Sequence, residues 1–233
     1  MLSIILPAYK EAENLKELIP KLKLILKENN IENEIIVVDA MHNIDETKSI
    51  CVNNDVIHIN RINGDLYGDA IRTGILNSKG DEILFMDADG SHSPQDMVNL
   101  IKKYYEMDVD IVIGSRYIKG GYTDNNFILK FMSHTLNMTY RFIFKLNIKD
   151  VSNSFRIYNA FKLKSIKLKC DNFDIVEEML IRLKLKYNNI KIIELPISFN
   201  KRKFGESKRD LLKFVISYIK TMRKLYKIQK GKE

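Results

Sequence analysis

The chain has 233 residues, of which 45% are hydrophobic and 29% charged, and its formal net charge is +8. This balance is typical of a globular protein with one domain, or one domain and a short appendage, and not of a disordered or membrane-spanning chain. The two cysteines, Cys51 and Cys170, match no zinc or disulfide spacing, so we expect a reducing compartment.

The first 115 residues alternate short apolar runs with longer amphipathic stretches. The pattern predicts strands at 2–6, 34–38, 56–60, 82–86 and 110–114, and helices at 13–27, 45–53, 68–77 and 94–105. Strands that alternate with helices in this way indicate a doubly wound, mostly parallel α/β sheet. Such sheets bind ligands beyond the carboxyl ends of their strands, so the residues after each strand are candidate site residues.

The rhythm changes after residue 117. Helices are predicted at 126–145, 175–187 and 210–227, and one further strand at 190–195. No signal peptide is expected, because the first apolar run is short and follows no basic segment. No stretch reaches the ~18–20 uninterrupted apolar residues of a membrane-spanning helix.

Positive charge is concentrated at the C-terminal end. Residues 200–233 contain 12 Lys or Arg and 3 acidic residues, and the rest of the chain is nearly neutral. A basic segment of this kind can bind an anionic membrane or nucleic acid, or can simply form a solvated face. The sequence contains no nucleic-acid-binding motif, which disfavours the nucleic-acid alternative.

The segment MDADGSHSPQDM at 86–97 places two carboxylates, Asp87 and Asp89, at the end of a buried strand. Like charges this close repel each other unless a cation lies between them. Mg²⁺ or Mn²⁺, bound by one or two carboxylates and by substrate phosphates, suits this arrangement. The alternative is that Asp89 or Ser91 only caps the helix that begins near Pro94.

Polar residues follow other strands as well. Asp39 ends the second strand, where it could bind a nucleotide or only cap a turn. Two basic segments, GSRYIKGG at 114–121 and RKFGESK at 202–208, could bind phosphate groups or be solvated loops.

Six segments in this order resemble the family 2 glycosyltransferases, and within them the dolichol-phosphate mannose synthase group of polyprenyl-phosphate glycosyltransferases. They are PAYKEAEN, YGDAIRTGI, DADGSHSPQDM, GSRYIKGG, SNSFRIYN and ELPISFNKRKFGESK, and they run from residue 7 to residue 208. The resemblance implies a GT-A (Rossmann-like) α/β fold with a mostly parallel central sheet. It would occupy residues 1–208, followed by a basic amphipathic C-terminal helix over 209–233.

The resemblance also implies roles for individual residues. It places the nucleotide-sugar donor on Pro7, Tyr9, Glu11, Asp39, Asp87, Arg202 and Lys208. It places Mg²⁺ or Mn²⁺ on Asp87, Asp89 and Ser91, and the acceptor phosphate on Arg116, Ser133 and Lys130. Asp89 and Arg202 are the residues expected to act in catalysis.

The chain departs from the family pattern at three places. The arginine that the family has just before the acceptor-side serine is absent before Ser133, and Lys130 is the nearest basic residue. Ala40 stands where the family has a second acid after Asp39, so one contact with the nucleotide or its ribose is expected to be lost or to be taken up by His42 or Asp45. The segment SNSF at 152–155 replaces Ser-Gly-Phe.

The function implied is an inverting, metal-dependent transfer of a hexose, with mannose from GDP-mannose favoured, to a polyprenyl or dolichyl phosphate. A phosphate monoester is largely dianionic near neutral pH, with a second pKa of ~6, so no general base is required. The expected location is the cytoplasmic face of a membrane, bound peripherally through the basic helix or through an anchoring partner subunit. Alternatives are transfer from a UDP-hexose, transfer to a sugar hydroxyl with a carboxylate base, and a non-catalytic nucleotide-binding or scaffold protein.

Overall fold

A computed structural model describes residues 1–202, 204 and 211–231 of the chain, without the side chains of 211–215. The predicted strands of the first 115 residues are all present. They are β1 (Leu2–Pro7), β2 (Asn33–Asp39), β3 (Ile57–Asn60), β4 (Glu82–Phe85) and β5 (Ile111–Ser115). The helices between them are α1 (Ala12–Glu28), α2 (Thr47–Asn53), α3 (Tyr67–Asn77) and α4 (Pro94–Met107).

The second part of the chain contains more elements than the periodicity predicts. It contains β6 (Tyr122–Thr123), α5 (Phe127–Phe144), β7 (Arg156–Asn159), α6 (Ala160–Lys164), α7 (Ile175–Lys186), β8 (Ile192–Pro196), β9 (Ser198–Phe199) and α8 (Leu211–Gln229). Of these, β6, β7, α6 and β9 were not predicted.

The main sheet has seven strands in the order β3-β2-β1-β4-β7-β5-β8. All its pairings are parallel except those of β7, which runs antiparallel between β4 and β5. The short strands β6 and β9 form a second, parallel sheet. The prediction of a doubly wound, mostly parallel sheet is therefore confirmed.

Strand β7 was not predicted because it has only four residues and begins with a charged one. Arg156 begins the strand and is fully buried, and its guanidinium donates hydrogen bonds to Val151 O, Tyr158 Oη and Val176 O. These partners satisfy both terminal nitrogens of the charged group inside the protein, where an unpaired group would be costly.

Helices cover both faces of the sheet. One apolar cluster lies under α1, α2 and α4, and the other lies under α3, α5, α6, α7 and α8. Both cysteines are free and buried within these clusters. No helix in the described ranges is long and apolar enough to cross a membrane.

Candidate active site

The candidate site lies where β1, β2 and β4 end. These strands are parallel neighbours, with Pro7 paired with Val38 and Ile5 paired with Phe85, so their carboxyl ends meet at one edge of the sheet. Tyr9 and Glu11 follow β1, Asp39 ends β2, and the Asp87 and Asp89 pair follows β4. These polar residues lie at the edge because a short polar turn joins each buried strand to the next helix.

Asp89 is held through both of its carboxylate oxygens. Its Oδ1 accepts a hydrogen bond from the backbone N–H of Ser91 at 3.0 Å, and its Oδ2 accepts one from Arg202 Nη2 at 3.0 Å. Burial alone would raise the pKa of Asp89, but hydrogen bonds from Ser91 and Arg202 lower it below its ordinary value. Asp89 is therefore an anion at neutral pH.

Arg202 contacts acidic residues from two different turns of the site, the one after β1 and the one after β4. Besides its contact with Asp89, its Nη2 lies 3.6 Å from Glu11 Oε1. Arg202 comes after β9, about 110 residues beyond Asp89, and the fold returns it to the carboxyl edge of the sheet. Three residues predicted separately, Glu11, Asp89 and Arg202, thus form one contacting group.

Asp87 is tied to the sheet through groups that the sequence analysis did not single out. Its Oδ1 accepts a hydrogen bond from Ser154 Oγ at 3.0 Å, and its backbone N–H donates to His92 Nδ1 at 3.2 Å. Because Nδ1 accepts, the ring hydrogen is on His92 Nε2, which lies 3.3 Å from Asn153 Oδ1. Asn153 Nδ2 in turn donates to Gly114 O on β5 at 2.6 Å.

His92 is buried between aromatic rings, stacked on Phe155 with ring centroids 4.4 Å apart and in edge contact with Phe199 at 5.2 Å. Burial lowers the pKa of His92, so the ring is neutral at neutral pH. A signal for this residue was present, since His92 lies within the segment MDADGSHSPQDM, three residues after Asp89. Its partner Asn153 stands in the departing segment SNSF.

Two carboxylates and one hydroxyl residue fit the partial ligand set that Mg²⁺ or Mn²⁺ takes from a protein when substrate phosphates supply the rest. Asp87 Oδ2 accepts no hydrogen bond from any residue that the structure describes. Within the same residues, no three His, Cys, Asp or Glu side chains form a self-sufficient metal centre. Asp87, Asp89 and Ser91 therefore suit an ion shared with a diphosphate better than a structural ion.

Asp39 is fully buried beside the site. Its Oδ1 accepts from the backbone N–H of Ala40 at 2.8 Å, and its Oδ2 lies 3.2 Å from His58 Nε2. The buried Arg61, which the sequence analysis also missed, donates to Ala8 O at 2.6 Å and lies over the Tyr9 ring at 5.6 Å. Arg61 also donates its backbone N–H to Asp39 O, so this residue of the loop after β3 contacts both the turn after β1 and the end of β2.

The turn after β2, where Ala40 replaces an acid, receives a carboxylate from another loop. Asp45 is engaged at the starts of α1 and α2, because its Oδ2 accepts from Ala12 N–H and its Oδ1 from Thr47 N–H. His42 is exposed in the turn itself. The backbone N–H of Met41 donates to Asp65 Oδ1 at 2.7 Å, so the carboxylate that meets this turn comes from the loop after β3.

The predicted acceptor residues lie further along the same edge of the sheet. Arg116 follows β5, which β7 separates from β4, and Ser133 lies on α5. Arg116 forms a bidentate ion pair with Asp150, at 2.8 Å from Nε and 2.8 Å from Nη2, and its Nη2 also donates to Ser152 Oγ at 3.0 Å. Ser133 Oγ lies 3.2 Å from the same Ser152 Oγ. Arg116 and Ser133 are therefore linked through one hydroxyl that was not predicted.

Lys130 lies one helical turn from Ser133 on α5, with Nζ 5.9 Å from the centre of the Tyr122 ring. Pro7 is buried at the end of β1, and Tyr9 is half-buried after it. Lys208 lies outside the described residues. The role of each predicted residue toward donor, metal or acceptor stays a prediction.

A doubly wound sheet with paired carboxylates at its carboxyl edge, met there by Arg202 from a later part of the chain, is the arrangement expected of the predicted GT-A glycosyltransferase fold. The sequence profile of the family described as "Glycosyl transferase family 2" matches residues 3–167. The chain belongs to this family.

Two of the similar proteins are named as mannosyltransferases that act on a lipid phosphate. The chain is 32% identical over 212 residues to the dolichol-phosphate mannosyltransferase of Pyrococcus furiosus, a match that covers 88% of this chain and 58% of that protein. It is 29% identical over 214 residues to the undecaprenyl-phosphate mannosyltransferase of Micrococcus luteus, covering 88% of this chain and 85% of that protein. The chain thus spans little more than half the length of the Pyrococcus relative.

Solved structures agree on the fold. The glucosyl-3-phosphoglycerate synthase of Mycobacterium tuberculosis, crystallised with Mn²⁺, uridine diphosphate and phosphoglyceric acid, superposes with a TM-score of 0.75 at 15% identity, covering 97% of this chain and 78% of that one. A crystal of the same enzyme with Mg²⁺ and uridine diphosphate gives 0.73 at 14% identity, covering 99% and 79%. At this identity the likeness establishes the fold, and the predicted GT-A fold is confirmed.

Proposed function

We propose that the chain transfers a hexose, with mannose from GDP-mannose favoured, to a polyprenyl or dolichyl phosphate at a membrane surface. The observation that carries the proposal is the contacting group Asp89, Glu11 and Arg202 beside Asp87, at the edge where this sheet type binds ligands. The names of the Pyrococcus and Micrococcus relatives support the lipid phosphate as acceptor.

The donor side has to stabilise a leaving nucleoside diphosphate. Asp87, Asp89 and Ser91 would hold Mg²⁺ or Mn²⁺, which would neutralise charge that develops on the diphosphate. The Mn²⁺ and Mg²⁺ in the crystals of the structural neighbours support this choice. Arg202, which contacts Asp89, offers a second cation beside it, and such fixed charges are usually the largest catalytic contribution.

Glu11 and Asp39 have different places in this scheme. Glu11 contacts Arg202 and so orients the cation toward the diphosphate. Asp39 is fully buried, and it shapes the nucleotide side from beneath through His58 and the Ala40 backbone. Pro7 and Tyr9 line the same side at the end of β1, and Lys208 is proposed to reach the diphosphate.

The acceptor phosphate would enter beside Ser133, Ser152 and Lys130. Ser133 and Ser152 offer hydroxyl groups, and Lys130 offers a charge on the same helix as Ser133. Arg116 would add positive charge for the acceptor phosphate, although its guanidinium is also bound to Asp150. A phosphate oxygen attacks the anomeric carbon directly, because it is already an anion and needs no general base.

Helix α5 supports a membrane as the place of the reaction. Five large apolar side chains, which we call the α5 apolar stripe, are exposed along it: Phe127, Ile128, Phe131, Met138 and Phe142. Most of them recur at intervals of three or four residues or their sums, so they share one helix face. Exposed apolar stripes of this size mark interaction surfaces with lipid or protein.

Helix α8 packs beside α5 and adds positive charge to the same region. Ile216, Ile219 and Tyr226 are exposed on it together with the basic residues Lys220 and Lys227. A helix with apolar and basic exposed residues suits the surface of an anionic bilayer. We therefore place the protein peripherally on the cytoplasmic face of a membrane, with an anchoring subunit as an optional partner.

The test is a transfer assay with Mg²⁺ or Mn²⁺, a short polyprenyl phosphate and radiolabelled GDP- and UDP-sugars, following label into the organic phase. Label from GDP-mannose supports the proposal in full, and label from a UDP-hexose changes the donor but keeps the acceptor. Label that reaches only sugar hydroxyl acceptors, or no acceptor at all, contradicts the proposal. The Asp89→Asn variant gives the background in each case.

A further inference from the structure

Asn14 is a nearly buried residue in the first turn of α1, only 4% exposed, and the proposed reaction does not use it. Its side-chain amide contacts both backbone groups of Phe204. Asn14 Oδ1 accepts from Phe204 N–H at 3.2 Å, and Asn14 Nδ2 donates to Phe204 O at 3.3 Å. The amide therefore pairs with this stretch of backbone as a neighbouring strand would.

The same amide also holds Glu11. Asn14 Nδ2 donates to Glu11 Oε2 at 2.6 Å, and the other oxygen of Glu11 faces Arg202. One side chain therefore fixes both the carboxylate beside Arg202 and the backbone two residues after Arg202.

The described residues 198–202 and 204, which we call the Arg202 segment, are anchored along their length. Ser198 N–H donates to Asp96 Oδ2 at 3.1 Å, and Asn200 N–H donates to Ser91 O at 3.0 Å. Lys201 N–H donates to Asp124 Oδ2 at 3.3 Å. Asn14 anchors the segment on the far side of Arg202, so the arginine is held between two fixed points.

We propose that Asn14 is a positioning residue that holds Arg202 over Asp89 and Glu11. The proposal rests on the proposed role of Arg202 toward a nucleoside diphosphate. A long arginine on an unanchored segment would lose conformational freedom on meeting its ligand, whereas an anchored one is arranged beforehand. Asn14 acts through Arg202 and does not touch the donor itself.

The first test is hydrogen–deuterium exchange of the backbone amides of the Arg202 segment in the ligand-free protein, which requires no transfer activity. The variants are Asn14→Ala, which removes all three hydrogen bonds, and Asn14→Asp, which keeps the size and the acceptor oxygen but removes the donor. We expect exchange to be roughly fivefold to tenfold faster in Asn14→Ala, because Phe204 N–H loses its hydrogen-bond acceptor. The increase should be smaller in Asn14→Asp, which keeps that acceptor and loses only the bonds that Asn14 Nδ2 donates.

The matched control is Asn29→Ala. Asn29 lies at the other end of α1, and its Nδ2 donates to Ile25 O at 2.9 Å. This variant removes an asparagine hydrogen bond from the same helix without touching the Arg202 segment. Unchanged exchange in the Asn14 variants, or the same increase in Asn29→Ala, overturns the proposal.

The second test asks whether Asn14 acts through Arg202, and uses the dissociation constants of GDP and UDP with Mn²⁺. We expect Asn14→Ala and Arg202→Ala to weaken binding of the nucleotide that the protein takes, and the double variant to be no weaker than Arg202→Ala alone. Additive losses would show that Asn14 acts independently of Arg202 and would overturn the proposal. Nucleotide affinity is measured without an acceptor, so failure of the proposed transfer reaction leaves both tests decisive.

Discussion

Asp89 and Arg202 show how the site can hold opposite charges close together before any ligand binds. Arg202 pairs with Asp89 and Glu11, and hydrogen bonds to Asp89 keep the pKa of its carboxyl group low. A carboxylate that stays ionised near neutral pH can bind a divalent cation, and the arginine beside it can turn to a phosphate oxygen.

Replacement of Asp89 by Asn should abolish metal-dependent transfer. The change keeps the size of the side chain and removes the charge that the ion would meet. We expect turnover to fall by about 100-fold or more, as for other losses of charge-stabilising groups. The assay is label transfer with titrated Mn²⁺, and calorimetry should show weaker Mn²⁺ binding.

Asp55→Asn is the control for this change, since Asp55 is an exposed carboxylate that pairs with Lys23. Turnover of Asp89→Asn close to that of the control would refute the metal assignment.

Arg116 has a structural task whatever its role toward an acceptor. Its guanidinium donates two hydrogen bonds to the fully buried Asp150, and its backbone N–H donates a third. Arg116→Ala would leave that carboxylate buried without its cation. We expect the free energy of unfolding to fall by about 3–5 kcal/mol, measured by urea denaturation at neutral pH. Unchanged stability would mean that the pair does not hold the fold.

The same pair predicts a dependence of stability on pH. Burial would raise the pKa of Asp150, but the charge and hydrogen bonds of Arg116 lower it below its ordinary value, about 3.9. The contribution of the pair is therefore complete above the unfolded pKa and disappears as the pH falls through the lower folded pKa. Between about pH 2 and 5, the free energy of unfolding should change less with pH in Asp150→Asn than in the unaltered chain, as measured by urea denaturation. Equal pH dependence would count against the ion pair.

At the scale of elements, α5 combines two different surfaces. Its inner face contributes Tyr140 and Phe144 to the core, and its outer face exposes the α5 apolar stripe, with Phe127 at 81% and Phe142 at 87% exposure. Ser133 lies on the same helix and meets Ser152. A single helix thus connects the predicted acceptor site with the surface proposed to meet the membrane.

Glutamate at Phe131 or Phe142 should weaken binding to vesicles that contain anionic lipid. Burial of one such side chain is worth about 1.5–3 kcal/mol, so we expect the affinity measured by cosedimentation to fall by roughly tenfold or more. Phe161→Glu is the matched control, because Phe161 is 80% exposed on α6, beyond the opposite edge of the parallel strands. Equal loss in all three variants would contradict a specific membrane role for the α5 apolar stripe.

At the scale of the whole molecule, α8 belongs to the packed core. Tyr218 and Leu225 are buried in the cluster with α5 and α7, and Thr221 Oγ1 donates to Asp174 Oδ2. The division at residue 208 that the sequence suggests stays a prediction.

Neighbouring residues of α8 give a direct test of this packing. Leu225→Ala should lower the free energy of unfolding by about 2–5 kcal/mol, because the side chain is fully buried. Tyr226→Ala should change it little, since Tyr226 is 45% exposed. Thermal and urea denaturation of the two variants compare them directly, and equal small effects would mean that α8 is not part of the cooperative unit.

Local sequence patterns were sufficient to predict the doubly wound sheet, most helix and strand bounds, and the strand ends at which polar residues gather. Each of these follows from local periodicity, because the buried residues of a helix or strand recur at a fixed interval within that element. The motif order was also sufficient to indicate family 2, since it depends on residues and spacing alone.

The contacts between distant polar groups could not be predicted and became visible only in the folded chain. The antiparallel insertion of β7 with its buried Arg156, the pairing of His92 with Asn153, and the contact of Asn14 with Phe204 have no local signature. A buried polar group needs a partner, but the partner can come from any element that the fold brings near. The periodicity of a sequence reports which residues are buried, and the topology of the sheet decides what they are buried against.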